Sequence, residues 1–310
     1  MRVLITGAGG FIGRTLAERM LADRHKVIAV DRLPEGLAEL RAFAEAAKNG
    51  DLLATVQGDL VEMPLKHLVA DVDVVAHVAG RGNVRASWNE TTSYMRDNAE
   101  VTDRLSMEVA RTGSVRAFLL VSSSSVYGGK PPWVESAALS PCSPYGVTKL
   151  TGEHVARVRL ADTATTLMTV RPFSVYGPRQ RSDLALSRML DCVVQGRPFT
   201  VVGDGHQRRD FTFVEDVVEC MTRLLTRPVA GTFNLCAGES HSLLELIAIV
   251  NDLLGRAVPI THTGIGEKIL PEAAETLGCN GAVQKACGPI TWTDLRQGVK
   301  QQIEWRLASS

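Results

Sequence analysis

The sequence predicts a doubly wound α/β fold, a parallel sheet with helices on both faces. Three observations lead there. Short runs rich in apolar and β-branched residues recur along the first half, stretches of helical periodicity separate most of them, and the first run opens directly into a glycine-rich turn.

The runs are Val3–Thr6, Val27–Asp31, Leu52–Val56, Val72–His77, Ala117–Ser122 and Leu167–Arg171. Val72–Val75 is nearly all apolar, as a strand covered on both faces must be, and reads as central. After about Pro172 the rhythm changes. Turns at Gly177-Pro178 and Gly203-Asp204-Gly205 surround helices expected near Leu184–Gln195 and Val214–Leu225, and another starts near Ser242. The reading is a first domain over residues 1–171 and a smaller lobe over 172–310, with an interleaved boundary. The stretch Thr261–Pro289 carries no pattern that places its elements.

Bulk properties narrow the partners. The chain has 310 residues, 34 Lys+Arg against 34 Asp+Glu, and 45% hydrophobic residues. No global basic field exists to hold nucleic acid or an anionic membrane, so neither is an expected partner. Met1 leads straight into the first strand without an apolar segment of signal or spanning length, which makes a cytoplasmic location the expectation. The six cysteines lie far apart with no CxxC pair, and the seven histidines show no HExxH spacing. Reduced thiols and no metal are expected.

The first strand runs into Gly7-Ala8-Gly9-Gly10-Phe11-Ile12-Gly13 and then a helix. Gly7, Gly10 and Gly13 permit a tight turn and close approach of a pyrophosphate, which sits at the positive helix end opened by Phe11 and Ile12. Asp31 ends the second strand, where a carboxylate accepts both ribose hydroxyls and repels a 2′-phosphate. NAD is therefore expected over NADP, with Arg32 next to it on the cofactor side. Asp59 and Leu60 follow the third strand. Asp59 can reach the adenine amino group or serve as a solvated loop aspartate.

Tyr145 and Lys149 stand four apart at the start of a predicted helix and project from one face. A tyrosine phenol has a pKa of about 10, and a nearby ammonium stabilises the phenolate, which can then take a proton from an alcohol. Ser123 falls at the carboxyl end of the fifth strand, where its hydroxyl can bond the reacting oxygen. Four consecutive serines, 122 to 125, leave the choice of hydroxyl open on chemistry alone.

These glycines and Asp31, together with Ser123-Ser124-Ser125-Val126-Tyr127-Gly128, Ser143-Pro144-Tyr145-Gly146-Val147-Thr148-Lys149 and Arg171-Pro172-Phe173-Ser174-Val175-Tyr176-Gly177-Pro178-Arg179, resemble the NAD-dependent epimerase/dehydratase family of extended short-chain dehydrogenases/reductases. The resemblance covers about residues 1 to 255 and continues through Gly203–Phe211. It implies an NAD-binding Rossmann domain, a nucleotide-diphosphate sugar as substrate, and a catalytic set of Ser123, Tyr145 and Lys149. It also implies Asn98 on the cofactor side and Arg209 on the diphosphate, although Arg209 could instead pair with Asp210. Family 4,6-dehydratases carry an Asp-Glu pair where this chain has Ser124 and Ser125, which cannot act as acid and base near neutral pH.

The resemblance therefore implies a 4-epimerase working through a transient 4-keto sugar. Ser174 departs from the asparagine of many members. Phe173–Arg181 is similar instead to the segment with which UDP-glucuronate 4-epimerases hold the sugar carboxylate, through a hydroxyl residue and an arginine, here Ser174 and Arg181. A solvated loop arginine is the other reading of Arg181. With Arg85, Ser123, Ser124, Tyr145 and Arg209 these form the expected substrate side. UDP-glucuronate or a UDP-hexose both fit, and beyond about Gly255 the family's usual C-terminal stretches are missing.

A dehydratase, decarboxylase or dehydrogenase using the same Ser/Tyr/Lys set is the alternative enzyme. A non-catalytic NAD sensor or scaffold is the alternative of another class, although a binding module does not need all three residues. As in the family, a homodimer is expected through helices near Val101–Arg111 and Tyr145–Arg157.

Overall fold

A computed structural model describes residues 1–264 and 273–308. Part of the stretch that the sequence left unplaced, 265–272, lies outside the described residues.

The six expected strands all form. They are β1 (Arg2–Thr6), β2 (Lys26–Asp31), β3 (Leu53–Gln57), β4 (Val74–His77), β5 (Ala117–Val121) and β6 (Thr166–Pro172). The short strands β7 (Val175–Tyr176), β8 (Phe199–Val202), β9 (Arg208–Arg209) and β10 (Thr212–Phe213) follow, then β11 (Gly231–Leu235), β12 (His241–Ser242) and β13 (Ile260–Thr263). The main sheet has seven strands in the order β11-β6-β5-β4-β1-β2-β3, and every pairing in it is parallel. This is the doubly wound Rossmann arrangement, with its switch point between β1 and β4. β11 was not legible in the sequence. It starts at a glycine and buries Asn234, so it lacks the β-branched run that marked the others.

Alternation along the strands builds two cores. Val3 and Ile5 of β1 face one layer with Val27, Ala29, Val74 and Ala76. Helices α1 (Phe11–Ala22), α2 (Pro34–Ala46) and α8 (Val214–Thr226) cover it. Leu4 faces the other layer with Ile28, Val75, Phe118 and Leu120. There α3 (Lys66–Val69), α5 (Val101–Thr112) and α6 (Pro144–Leu160) complete the packing. Each such fully buried aliphatic side chain contributes roughly 1.5–3 kcal/mol of burial free energy.

A smaller core joins α7 (Ala185–Val194), α9 (Leu243–Leu254) and α11 (Leu295–Ala308) around Leu190, Leu246, Val250 and Val299. α9 begins where the sequence placed it, at a capping box in which Ser242 and Glu245 satisfy each other's backbone amides, and ends at Gly255 with a left-handed φ of 65°. Two further helices are α4 (Thr91–Tyr94), which runs through a π turn, Met95–Glu100, into α5, and α10 (Gly281–Cys287). No helix among the described residues is long and apolar enough to cross a membrane.

Candidate active site

A cleft of about 1080 Å³ runs along the carboxyl ends of β1 to β6, between the sheet and the smaller lobe. Ligands bind at that edge in doubly wound sheets because the βα turns present helix N-termini there.

At one end lies the glycine turn. Gly7 has φ +69°, and a Cβ on it would come 2.7 Å from the Ala79 backbone; a Cβ on Gly13 would come 2.1 Å from the Gly7 carbonyl. The turn thus packs backbone against backbone. α1 starts at Gly10 with no side-chain cap and no acidic residue in its first turn. The amides of Phe11, Ile12 and Gly13 have no intrahelical acceptor, so this end can take an anion such as a pyrophosphate. The sequence reading did not single out Gly9 and Gly36. A Cβ on Gly36 would sit 2.3 Å from the Gly9 carbonyl, so α2 also docks on this turn.

Asp31 is fixed by two amides, Gly9 at 2.9 Å and Leu33 at 3.0 Å. Those bonds hold its carboxylate at the end of β2, on the cleft wall beside Gly10 and Phe11. Arg32 bonds Asp97 at 2.9 Å, and Asp97, nearly buried, also receives Arg81 at 2.6 Å and Arg96 at 2.8 Å. Asp59 lines the cleft with Leu60 and pairs with Arg96 at 2.9 Å. Burial works to raise the Asp59 carboxyl, but the Val61 amide and Arg96 outweigh it and hold the group below the usual range. Asn98 spends its amide on Thr148 at 2.9 Å and on the backbone of Arg81 in both directions, which fixes the loop after β4 that lines the cleft.

The middle of the cleft holds Ser123, Tyr145 and Lys149. Ser143 caps α6 by accepting from the Gly146 amide at 3.1 Å, and Pro144 occupies the first turn, where its missing N–H costs nothing. The Tyr145 amide, which has no helical acceptor, bonds the Ser87 hydroxyl at 3.1 Å. Burial pushes the Tyr145 phenol above its ordinary value, while its hydrogen bond with Ser123 and the charge of Arg181 pull the other way. Lys149 donates its ammonium to the Val121 carbonyl. Burial lowers that ammonium to about 8 against the opposing charge of Glu153.

Beneath them is a buried group of charges that the sequence reading did not single out. Glu153 pairs with Arg171 through two bonds of 2.9 and 2.7 Å and accepts the Ser122 hydroxyl; Arg171 also donates to Tyr127 at 2.8 Å. All four serines line the cleft, but the Ser122 hydroxyl is committed to Glu153, whereas Ser123 acts on the Tyr145 phenol. That separates Ser122 from Ser123, which chemistry alone had left equivalent.

Arg85, Ser174, Arg181 and Arg209 line the far end. Arg209 donates to the carbonyls of Arg208 and Ala273 at 2.8 and 3.0 Å. Asp210 is taken by the amides of Ala237, Gly238 and Gly278 at 3.0 to 3.2 Å. Arg181 makes two bonds with Asp183, from Nε at 2.9 Å and Nη2 at 2.7 Å, and Asn83 donates to the same carboxylate at 2.7 Å. Asp183 and Asn83 had no signal in the sequence, because their meeting depends on two loops that only the fold brings together.

The model of the NAD dependent epimerase/dehydratase family matches residues 3–236. The chain belongs to that family. Among its relatives is a protein of Bacillus subtilis described as an uncharacterised UDP-glucose epimerase, YtcB, 35% identical over 98% of each chain. Among solved structures, MoeE5 in complex with UDP-glucuronic acid and NAD superposes with a TM-score of 0.90 at 32% identity, over 100% of both chains. A second MoeE5 complex, with UDP-glucose and NAD, gives 0.89 at 32%, over 100% of this chain and 99% of that one. The UDP-glucuronic acid 4-epimerase of Bacillus cereus, in complex with UDP-glucuronic acid and NAD, gives 0.91 at 29%, over 100% of both. As a member of an NAD dependent family the chain carries the parts such a cofactor requires, namely an uncapped helix end, a backbone-packed glycine turn and an oriented carboxylate on β2.

Proposed function

We propose that this protein is an NAD-dependent UDP-sugar 4-epimerase acting through a transient 4-keto sugar. The observation that carries the reading is the meeting of Ser123, Tyr145 and Lys149 on the wall of one cleft that also holds the glycine turn, with Ser123 drawing the Tyr145 phenol down against burial. The names of the relatives support the choice of UDP-sugars.

When bound, NAD accepts a hydride and returns it. The glycine turn and the amides of Phe11 and Ile12 would hold its pyrophosphate, and Asp31 would hold the adenosine ribose. Tyr145 takes the proton of the sugar 4-hydroxyl while Ser123 shares that oxygen, and Tyr145 gives the proton back once the sugar has turned over. Lys149 would hold the nicotinamide ribose. Arg85 and Arg209 hold the diphosphate, and Ser174 and Arg181 meet C6. Ser124 and Ser125, in place of an acid and a base, leave elimination of water without a catalyst.

The cofactor domain spans 1–171 and the substrate lobe mainly 172–310, interleaved because β11 and α8 return to the sheet. The chain forms a homodimer through α5 and α6. Val147 and Val158 of α6, 46% and 72% exposed, support this face, as does Met95 beside it. A light-scattering mass of one chain would overturn the dimer.

The activity is tested by incubating the protein and NAD with a panel of UDP-, ADP-, GDP- and TDP-sugars, UDP-glucuronate included. Products are followed by mass spectrometry and proton NMR. A sugar isomer of unchanged mass is the expected product. Loss of water or carbon dioxide, or stoichiometric NADH, would replace the reading with another reaction, and tight NAD binding without turnover would replace it with a sensor.

A further inference from the structure

Arg181 stands where the cleft meets the sugar end. A Cβ on Gly82 would come 2.6 Å from its Nη1, so the guanidinium lies directly over the loop after β4, and its charge reaches Tyr145. Two of its donors, on Nε and Nη2, are already spent on the two oxygens of Asp183. Asp183 is in turn held in place. Asn83 donates to it, and Asn83 is itself fixed by accepting the Ala86 amide at 3.0 Å through its side chain and the Tyr94 hydroxyl at 2.6 Å through its carbonyl.

The pair therefore presents the cleft with a guanidinium whose charge is offset by an adjacent carboxylate and whose Nη1 makes no hydrogen bond among the described residues. An unpaired guanidinium favours a carboxylate through two parallel charge-assisted bonds. A paired one keeps the N–H groups of Nη1 and the second one of Nη2, which serve a hydroxyl as well as a carboxylate, but the negative charge of Asp183 beside it opposes a second anion.

We propose that Asp183 is a specificity-determining residue that neutralises Arg181, so that the C6 subsite accepts a neutral hydroxymethyl sugar alongside a uronate. Without this carboxylate the same arginine would select for the uronate. The proposal rests on the UDP-sugar 4-epimerase reading for its substrates.

The test compares UDP-glucuronate with UDP-glucose in wild type and Asp183→Asn, by kcat/KM with NAD and by calorimetric binding of each nucleotide sugar. Asparagine keeps an acceptor for Asn83 and Arg181 but removes the charge. The ratio of UDP-glucuronate to UDP-glucose should rise about tenfold in both measurements. In Arg181→Gln/Asp183→Asn the rise should vanish, because no cation is left to unmask. An unchanged or lower ratio in Asp183→Asn would overturn the proposal, as would a rise that persists in the double variant. Wild-type protein that binds both sugars but converts neither would refute the epimerase reading and leave the binding ratio to decide on Asp183. Binding of neither would refute both.

Discussion

Lys149 donates its ammonium to the main-chain carbonyl of Val121 at 2.5 Å, at the end of β5, two residues before Ser123. The lysine is thus parked on the sheet, and Tyr145, four residues earlier on α6, keeps a phenol raised by burial.

Tyr145→Phe should lower turnover by roughly 10²–10⁴-fold while NAD still binds, because the phenol does the proton transfer but the glycine turn holds the cofactor. Steady-state rates and cofactor titration check it. Substantial remaining activity would remove Tyr145 from this role.

Lys149 makes stability depend on pH in a definite direction. Its ammonium titrates near 8 when folded and near the ordinary 10.5 when unfolded. Between those values the unfolded chain binds more protons, so folding stability rises with pH across that window and the penalty is complete below it. The rise is on the order of 3 kcal/mol. Urea midpoints at pH 8 and pH 10, without added NAD, should show about 2 kcal/mol of this rise in wild type and lack it in Lys149→Met.

Glu153→Gln should destabilise the fold by about 3 kcal/mol, since Arg171 would keep its burial and lose its counter-charge. It should also move the Lys149 window to lower pH, because Glu153 supplies the charge that opposes burial there. Denaturant melts of the single variant, repeated across pH, separate the two effects.

Gly13→Ala tests the turn. Its Cβ would collide with the Gly7 carbonyl, a backbone atom that cannot swing aside, so α1 must lift from β1. NAD affinity should fall by at least roughly tenfold, read by calorimetry. Unaltered affinity would show that the turn gives way without cost.

The sheet was legible because parallel strands buried on both faces need unbroken apolar runs, and those runs stand out at Val3–Thr6 and Val72–His77. β11 was not, because Asn234 is buried there to accept Tyr127 at 2.8 Å and to donate to the Trp133 carbonyl at 3.0 Å, a polar use that no local pattern announces. The two-residue strands β7, β9, β10 and β12 are too short for any periodicity to show. In the cleft, the same rule separates what local spacing records from what it does not. Tyr145 and Lys149 share a helix face and could be read together, as could the glycines of one turn. The contacts of Asp183 with Asn83, of Asp97 with Arg32 and Arg81, and of Glu153 with Arg171 join distant segments and became visible only when the chain was folded.

The late return of β11 has a bearing on how the chain is made. During synthesis β6 leaves the ribosome well before its neighbour Gly231–Leu235, and the residues between them take several seconds to translate. For that interval the hydrogen-bonding edge of β6, with Met168 and Val170 destined for the core, stands open to other chains. A nascent fragment ending soon after Pro172 is thus the aggregation-prone species on the way to this enzyme, and the stretch through α8 and β11 is what closes it.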